Sequence, residues 1–171
     1  MKTDILGHNF EELEDAFIGI GEKRFRGKQI AYWLYKRNVV DFEEMANLSK
    51  ALREKLAEHF TIGKLKPLKT EDDETGTSKT LWELADGETI ESVLIPDENR
   101  LTLCVSTQVG CPLGCKFCAT GNIGYKRNLT AGEIMNQFLQ SREKAGERIS
   151  NIVFMGMGEP LLNLDNLSKV L

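Results

Sequence analysis

From Leu101 to Leu171 the apolar pattern changes period repeatedly, and the order of those changes restricts the fold more than any other feature of the chain. "RLTLCVST" alternates over strand length. A loop carrying three cysteines follows, and Thr130 with Glu133 then forms a capping box. That box opens a helix striped by Ile134, Met135, Phe138 and Leu139, ending near Gly146. "NIVFMG" is next, short and largely apolar, as expected of a strand in a buried parallel sheet. Strand, cluster loop, helix, strand, glycine loop and a new helix make a βαβ unit, whose crossover is right-handed. The expected class is α/β. Two strands do not close an α/β barrel, and "NLSKVL" stops in mid-helix by its pattern, so the barrel is expected to be incomplete.

Upstream, "SKTLWELADGETIESVLIP" has a period of two around Asp86-Gly87, a favoured hairpin turn. The first sixty residues read as short helices. Asn9 with Glu12 and Asp41 with Glu44 predict capping boxes. Ser49 predicts a helix whose Leu52, Leu56 and Phe60 share a face. The expected organisation is a helical accessory domain over 1–65, a β-hairpin connector over 66–98 and the first part of a barrel over 99–171.

Of 171 residues, 41% are apolar and 28% charged, with four prolines, which excludes a disordered or fibrous chain. No apolar run approaches the roughly 18–20 residues that span a bilayer. "MKTDILGHNFEELED" has no apolar core of a signal peptide. The expectation is a cytoplasmic protein without a membrane partner, in which thiols stay reduced and clustered cysteines bind metal or act in catalysis. The net charge is −4, yet no acidic residue lies between Leu101 and Gly132, where Lys116, Lys126 and Arg127 fall. A second stretch, Glu22 to Arg37, holds six basic residues against one acid. Such local positive fields suit phosphates; the plainer reading of the second stretch is a solvated helix face.

"VGCPLGCKFCATG" places Cys111, Cys115 and Cys118 within eight positions. A thiol cluster of this kind serves as a zinc site, an iron–sulfur site, a redox pair or none of these. Zinc sites add a distant Cys or His pair, and here the only other thiol is Cys104, while His8 and His59 lie in the helical region as ordinary helix residues. Three thiolates in one loop suit a [4Fe–4S] cube, leaving its fourth iron without a protein ligand.

The spacing C-x3-C-x2-C, with Phe117 before the last cysteine, resembles the radical S-adenosylmethionine (SAM) superfamily. "FMGMGEP" supports the resemblance, since that superfamily has a Gly-Gly-Glu-Pro-like turn at this point. The likeness implies that Cys111, Cys115 and Cys118 hold a [4Fe–4S] cluster whose open iron chelates SAM. It further implies that Phe117, Gly156, Met157, Gly158 and Glu159 bind SAM. "TIESVLIPDENRLTLCVSTQVGCPLGCKFCATGNIGYKRNLTAGEI" with "FMGMGEPLLNLDNL" narrows the resemblance to the RlmN group, which methylates C2 of adenine in large-subunit ribosomal RNA and transfer RNA. Pro160 and "QVGC" favour this group over the related adenine-C8 methyltransferases that confer antibiotic resistance.

By that resemblance Glu91 is the proton acceptor and Cys104 the resolving thiol, which forms a transient disulfide to release a protein–RNA adduct. It also implies a one-electron reductant such as flavodoxin or ferredoxin, and rRNA and tRNA as partners. The chain departs from the family in having no candidate for the methyl-carrying cysteine, since all four thiols have roles. The expectation is a truncated chain inactive alone. Two other readings stay open: a non-catalytic RNA-binding fragment with a structural metal, and a radical SAM enzyme with another substrate.

Overall fold

The helix starts expected from cap residues are present in the computed structural model, which describes residues 2–171. The chain divides into two compact units, Met1–Gly63 and Lys64–Leu171.

In the first unit, β1 (Thr3–Asp4) precedes α1 (Phe10–Gly19), whose first turn is closed by reciprocal Asn9 and Glu12 bonds of 2.9 and 3.0 Å. After α2 (Arg26–Ala31) the helix widens into a π-helical turn, Tyr32–Lys36. Asp41 and Glu44 form their capping box around a single 3₁₀ turn, Phe42–Glu44. Ser49 caps α3 (Lys50–His59). Leu13, Phe17, Ile30, Leu34, Met45, Leu52 and Leu56 make the core. Phe60 does not extend the α3 stripe. Its backbone turns extended and it opens β2 (Phe60–Thr61), parallel to β1, with its ring still buried. Burial fixes where an apolar ring ends up; the backbone that delivers it is free to change. His8 and His59 each set Nδ1 against a backbone carbonyl, of Ile5 and Lys55.

In the second unit β3 (Lys66–Asp72), β4 (Ser78–Glu83), β5 (Thr89–Asp97) and β6 (Arg100–Cys104) form an antiparallel meander. Within it β4 and β5 are the expected hairpin. The unexpected strand is β3, because "KPLKTED" is exposed along its whole length and shows no apolar alternation. It is an edge strand with a register shift between Pro67 and Lys69, where a proline is tolerated. A ribbon of β7 (Gln108–Gly110) and β8 (Tyr125–Asn128) brackets the cysteine loop and α4 (Ala119–Ile123). Then α5 (Ala131–Ala145) leads back to β9 (Asn151–Val153), which pairs in parallel with β6, giving the sheet order β3-β4-β5-β6-β9. A 3₁₀ turn, Pro160–Asn163, and α6 (Leu164–Val170) follow.

The sheet has two unlike faces. Trp82, Ile90, Leu94, Leu101 and Leu103 point into a core shared with Leu129 and Ile134. Glu91, Val93 and Cys104 alternate with these residues and share the opposite, less buried face, Val93 standing directly across from Cys104. Among the described residues no helix is long and apolar enough to cross a membrane.

Candidate active site

Beyond the carboxyl end of β6, residues 105–110 run along the Gly156–Glu159 turn, which follows β9, and lead into the cysteine loop. The cysteine loop is anchored by its backbone. Cys111 N–H donates to the Gly124 carbonyl at 3.0 Å, and Cys118 N–H to the Cys115 carbonyl at 3.0 Å. Gly110, with φ +74°, permits the first contact, since a Cβ there would lie 1.7 Å from the Gly124 oxygen. Cys118 occupies the cap position of α4. Its thiol is held below the ordinary cysteine value by the Gly121 amide first and then by Thr120, so the thiolate that a metal needs is favoured.

All four cysteines are free and partly exposed. Among the described residues no three His, Cys, Asp or Glu side chains are gathered around a single-ion position. The fit therefore rests on the donor chemistry: three thiols on one bracketed loop, the residue set that iron–sulfur clusters use. The residues present fit such a group. Phe117 projects from the loop, 95% exposed.

The glycine turn is held by the strand extension, not by β9 alone. Gly156 N–H donates to the Val105 carbonyl at 3.2 Å, and Met157 N–H to Ser106 Oγ at 2.9 Å. The Met157 carbonyl accepts from the Thr107 and Gln108 amides at 2.8 and 3.1 Å. Glu159 N–H donates to Gln108 Oε1 at 2.8 Å. A Cβ on Gly156 would lie 2.8 Å from Ser106 N, so the two chains touch through backbone. The Glu159 carboxylate accepts from Leu161 N–H at 3.1 Å and caps the 3₁₀ turn.

Glu91 and Cys104 lie on the same sheet face, on neighbouring strands, with Val93 and not Glu91 directly across from Cys104. Lys79 Nζ lies 3.3 Å from a Glu91 oxygen and 3.3 Å from one of Glu71, which keeps an opposite charge beside Glu91. With Lys69 and Leu81 these residues line one groove. Cys104 is half-buried; burial raises its thiol above the ordinary value, against a lowering contact from the Met155 backbone.

The acid-free segment is not a free positive patch. Lys126 pairs with Glu88 at 2.6 Å, and Arg127 pairs with Asp86 at 2.7 Å and Glu133 at 2.8 Å. The hairpin supplies from a distance in sequence the acids that the segment lacks. Both cations are thus paired within the protein, which charge counted along the sequence did not show.

Sequence reasoning missed Ser106, Gln108, Gln137 and Asn163, all almost fully buried. Gln137 grips Ser106 from α5, and Asn163 donates to the Thr107 and Leu129 carbonyls at 2.7 and 2.8 Å. A signal was present: "STQ" follows a strand without charge, and Gln137 lies one turn beyond Ile134 on the apolar stripe. The Thr107 hydroxyl, also buried, has no partner. Removing an unpaired buried hydroxyl avoids a desolvation cost of about 1–3 kcal/mol, so Thr107→Val is expected to leave stability unchanged or raise it in urea titration.

Comparisons with known proteins bear on the family and the fold. The family model "Ribosomal RNA large subunit methyltransferase N-terminal domain" matches residues 3–62, and that of the radical SAM superfamily matches residues 105–171. A dual-specificity RNA methyltransferase RlmN from Syntrophotalea carbinolica is 52% identical over 171 residues, covering 99% of this chain and 46% of its own length. A probable dual-specificity RNA methyltransferase RlmN from Thermotoga neapolitana is 50% identical over 167 residues, covering 97% of this chain and 49% of its own. The chain thus spans about half the length of the curated relatives it matches. The crystal structure of a radical SAM methyltransferase from Sphaerobacter thermophilus superposes with a TM-score of 0.90 at 40% identity, over 98% of this chain and 50% of that one. With both family models matched in order and about half of all positions shared along nearly its whole length, the chain belongs to the RlmN family of the radical SAM superfamily.

Proposed function

We propose that the protein carrying this chain methylates C2 of adenine in large-subunit ribosomal RNA and in transfer RNA. One observation carries the reading at the site: Glu91 and Cys104 share one face of the sheet on neighbouring strands, and β6 runs on into the segment that holds the glycine turn and leads to the cysteine loop. The relatives' names supply the substrate class. Cys111, Cys115 and Cys118 would hold a [4Fe–4S] cluster, and Phe117 with the Gly156–Glu159 turn would hold SAM. When bound, these groups supply one-electron cleavage of SAM and hence radical chemistry that no acid–base side chain performs. Glu91 accepts the proton that adenine loses, with the Lys79 ammonium 3.3 Å from its carboxylate. Cys104 serves as the resolving thiol.

Residues 1–65 would contact RNA through the stretch from Lys23 to Arg37, where Arg26 lies over the half-exposed Phe25 ring at 5.1 Å. Residues 66–98 are the connector and 99–171 the first part of the barrel. Flavodoxin or ferredoxin is the reductant, and the cytoplasm the compartment.

The test is nucleoside mass spectrometry on ribosomal and transfer RNA from a strain lacking the gene. C2-methyladenosine should vanish from both pools, return with the unaltered gene, and fail to return with Cys115→Ala. Loss of C8-methyladenosine instead would assign the protein to the other branch. Unchanged methyladenosine would overturn the reading.

A further inference from the structure

Ser106 uses all four of its hydrogen-bonding groups, which reach three residues on three different segments. Its hydroxyl donates to the Glu91 carbonyl at 2.5 Å and accepts from Met157 N–H at 2.9 Å. Its own N–H donates to Gln137 Oε1 at 2.9 Å, and its carbonyl accepts from Gln137 Nε2 at 3.0 Å. Both side chains are fully buried.

We propose that Ser106 is a positioning residue whose hydroxyl couples the strand bearing Glu91 to the glycine turn at Met157, so that occupancy of the turn and the placement of Glu91 depend on each other. The proposal rests on the reading of that turn as the SAM site. The β5–β6 ladder ends at Val93 opposite Cys104. Beyond that pair the two segments diverge, and a side chain takes over the tie between Glu91 and the chain after β6. The same oxygen receives the Met157 amide, which sets the peptide plane at the apex of the turn. Both bonds share one small hydroxyl, so movement of the turn is transmitted to the Glu91 backbone. Polarisation along such a chain strengthens each bond.

Gln137 makes the hub rigid. A primary amide offers donor and acceptor on one planar group, and here both engage the same residue's backbone. The Ser106 backbone is therefore clamped from α5, which fixes the origin of its hydroxyl between the two partners. The contact of Gly156 with Ser106 leaves no room for a side chain between them, which keeps the turn within reach of the hydroxyl.

The experiment uses the anaerobically reconstituted full-length protein, with iron content checked for each variant. Hydrogen exchange is followed by mass spectrometry with and without SAM, and SAM affinity is measured by equilibrium dialysis. In the unaltered protein SAM should slow exchange both at residues 155–159 and at residues 89–93. In Ser106→Ala the Met157 amide and the Glu91 carbonyl lose their partner. Exchange at 155–159 should then rise, the SAM Kd should rise by about tenfold, and protection of 89–93 by SAM should disappear. Ser141→Ala, the same change at another buried serine of α5, controls for loss of a hydroxyl in general and should keep the coupling. Ser106→Cys, which fills a similar space with a weak donor and acceptor, should shift in the same direction and serves if the alanine protein does not fold. SAM-induced protection of 89–93 that survives in Ser106→Ala, with unchanged Kd, would overturn this inference alone. An unaltered protein that binds no SAM would overturn the functional reading and this inference together.

Discussion

Gly110→Ala should disable the cysteine loop while a glycine substitution of the same backbone class elsewhere does little. Gly110 has φ +74°, a conformation that costs an L side chain about 1–2 kcal/mol. Its added Cβ would fall 1.7 Å from the Gly124 oxygen, which already accepts from Cys111 N–H. The acceptor is backbone and cannot swing aside, so the β7–β8 ribbon must open. Strain and forced repacking together should destabilise by roughly 2–5 kcal/mol. Gly146 also has a positive φ, +66°, but nothing lies within 4 Å of its Cβ position. Gly146→Ala should therefore show only the conformational cost. Urea titration and iron content after reconstitution, measured on both variants in the full-length protein, check the difference. Equal losses of stability with iron retained in both would show that the Gly110–Gly124 contact does not hold the loop.

Replacing any one of Cys111, Cys115 or Cys118 by alanine is expected to abolish the brown charge-transfer absorption and the binding of about four irons per chain, whereas Cys104→Ala should retain both. The structure separates the four thiols. Three lie on the loop between β7 and β8, and Cys104 lies at the end of β6, opposite Val93. Backbone amides hold the Cys118 thiol below the ordinary cysteine value, while burial raises that of Cys104. Loss of Cys104 that removed iron as completely as loss of Cys115 would merge the two groups and remove the resolving role. A colourless protein holding one zinc would favour a structural metal instead.

Local features carried most of the secondary structure. Capping boxes at Asn9, Asp41 and Thr130 are satisfied within four residues, so their bonds follow from neighbours in sequence. The Asp86-Gly87 turn and the alternation around it specify β4, β5 and the face on which Glu91 sits, and the alternation of "RLTLC" specifies that of Cys104. The crowding of three thiols into eight residues marked the loop, and the resemblance it carries implies Cys111, Cys115 and Cys118 as cluster ligands.

What required the folded chain were bonds between distant positions. Lys126 and Arg127 looked like cations without acids, and only the fold sets Glu88 and Asp86 against them, about forty residues upstream. Ion pairing depends on distance in space, and charge counted along a sequence window does not contain it. The strand β3 has no apolar alternation because it forms an exposed edge, so backbone pairing with β4 alone identifies it. Ser106, Gln108 and Gln137 are ordinary polar residues in sequence; burial beside unpaired backbone groups turns them into the frame of the turn. The sequence by itself determined the element order, the thiol set and the alternating faces, since these depend on short-range periodicity and covalent spacing. The tertiary structure alone decided which charges are neutralised and which buried polar groups tie Glu91 to the glycine turn, since a hydrogen bond acts over about 3 Å whatever the separation along the chain.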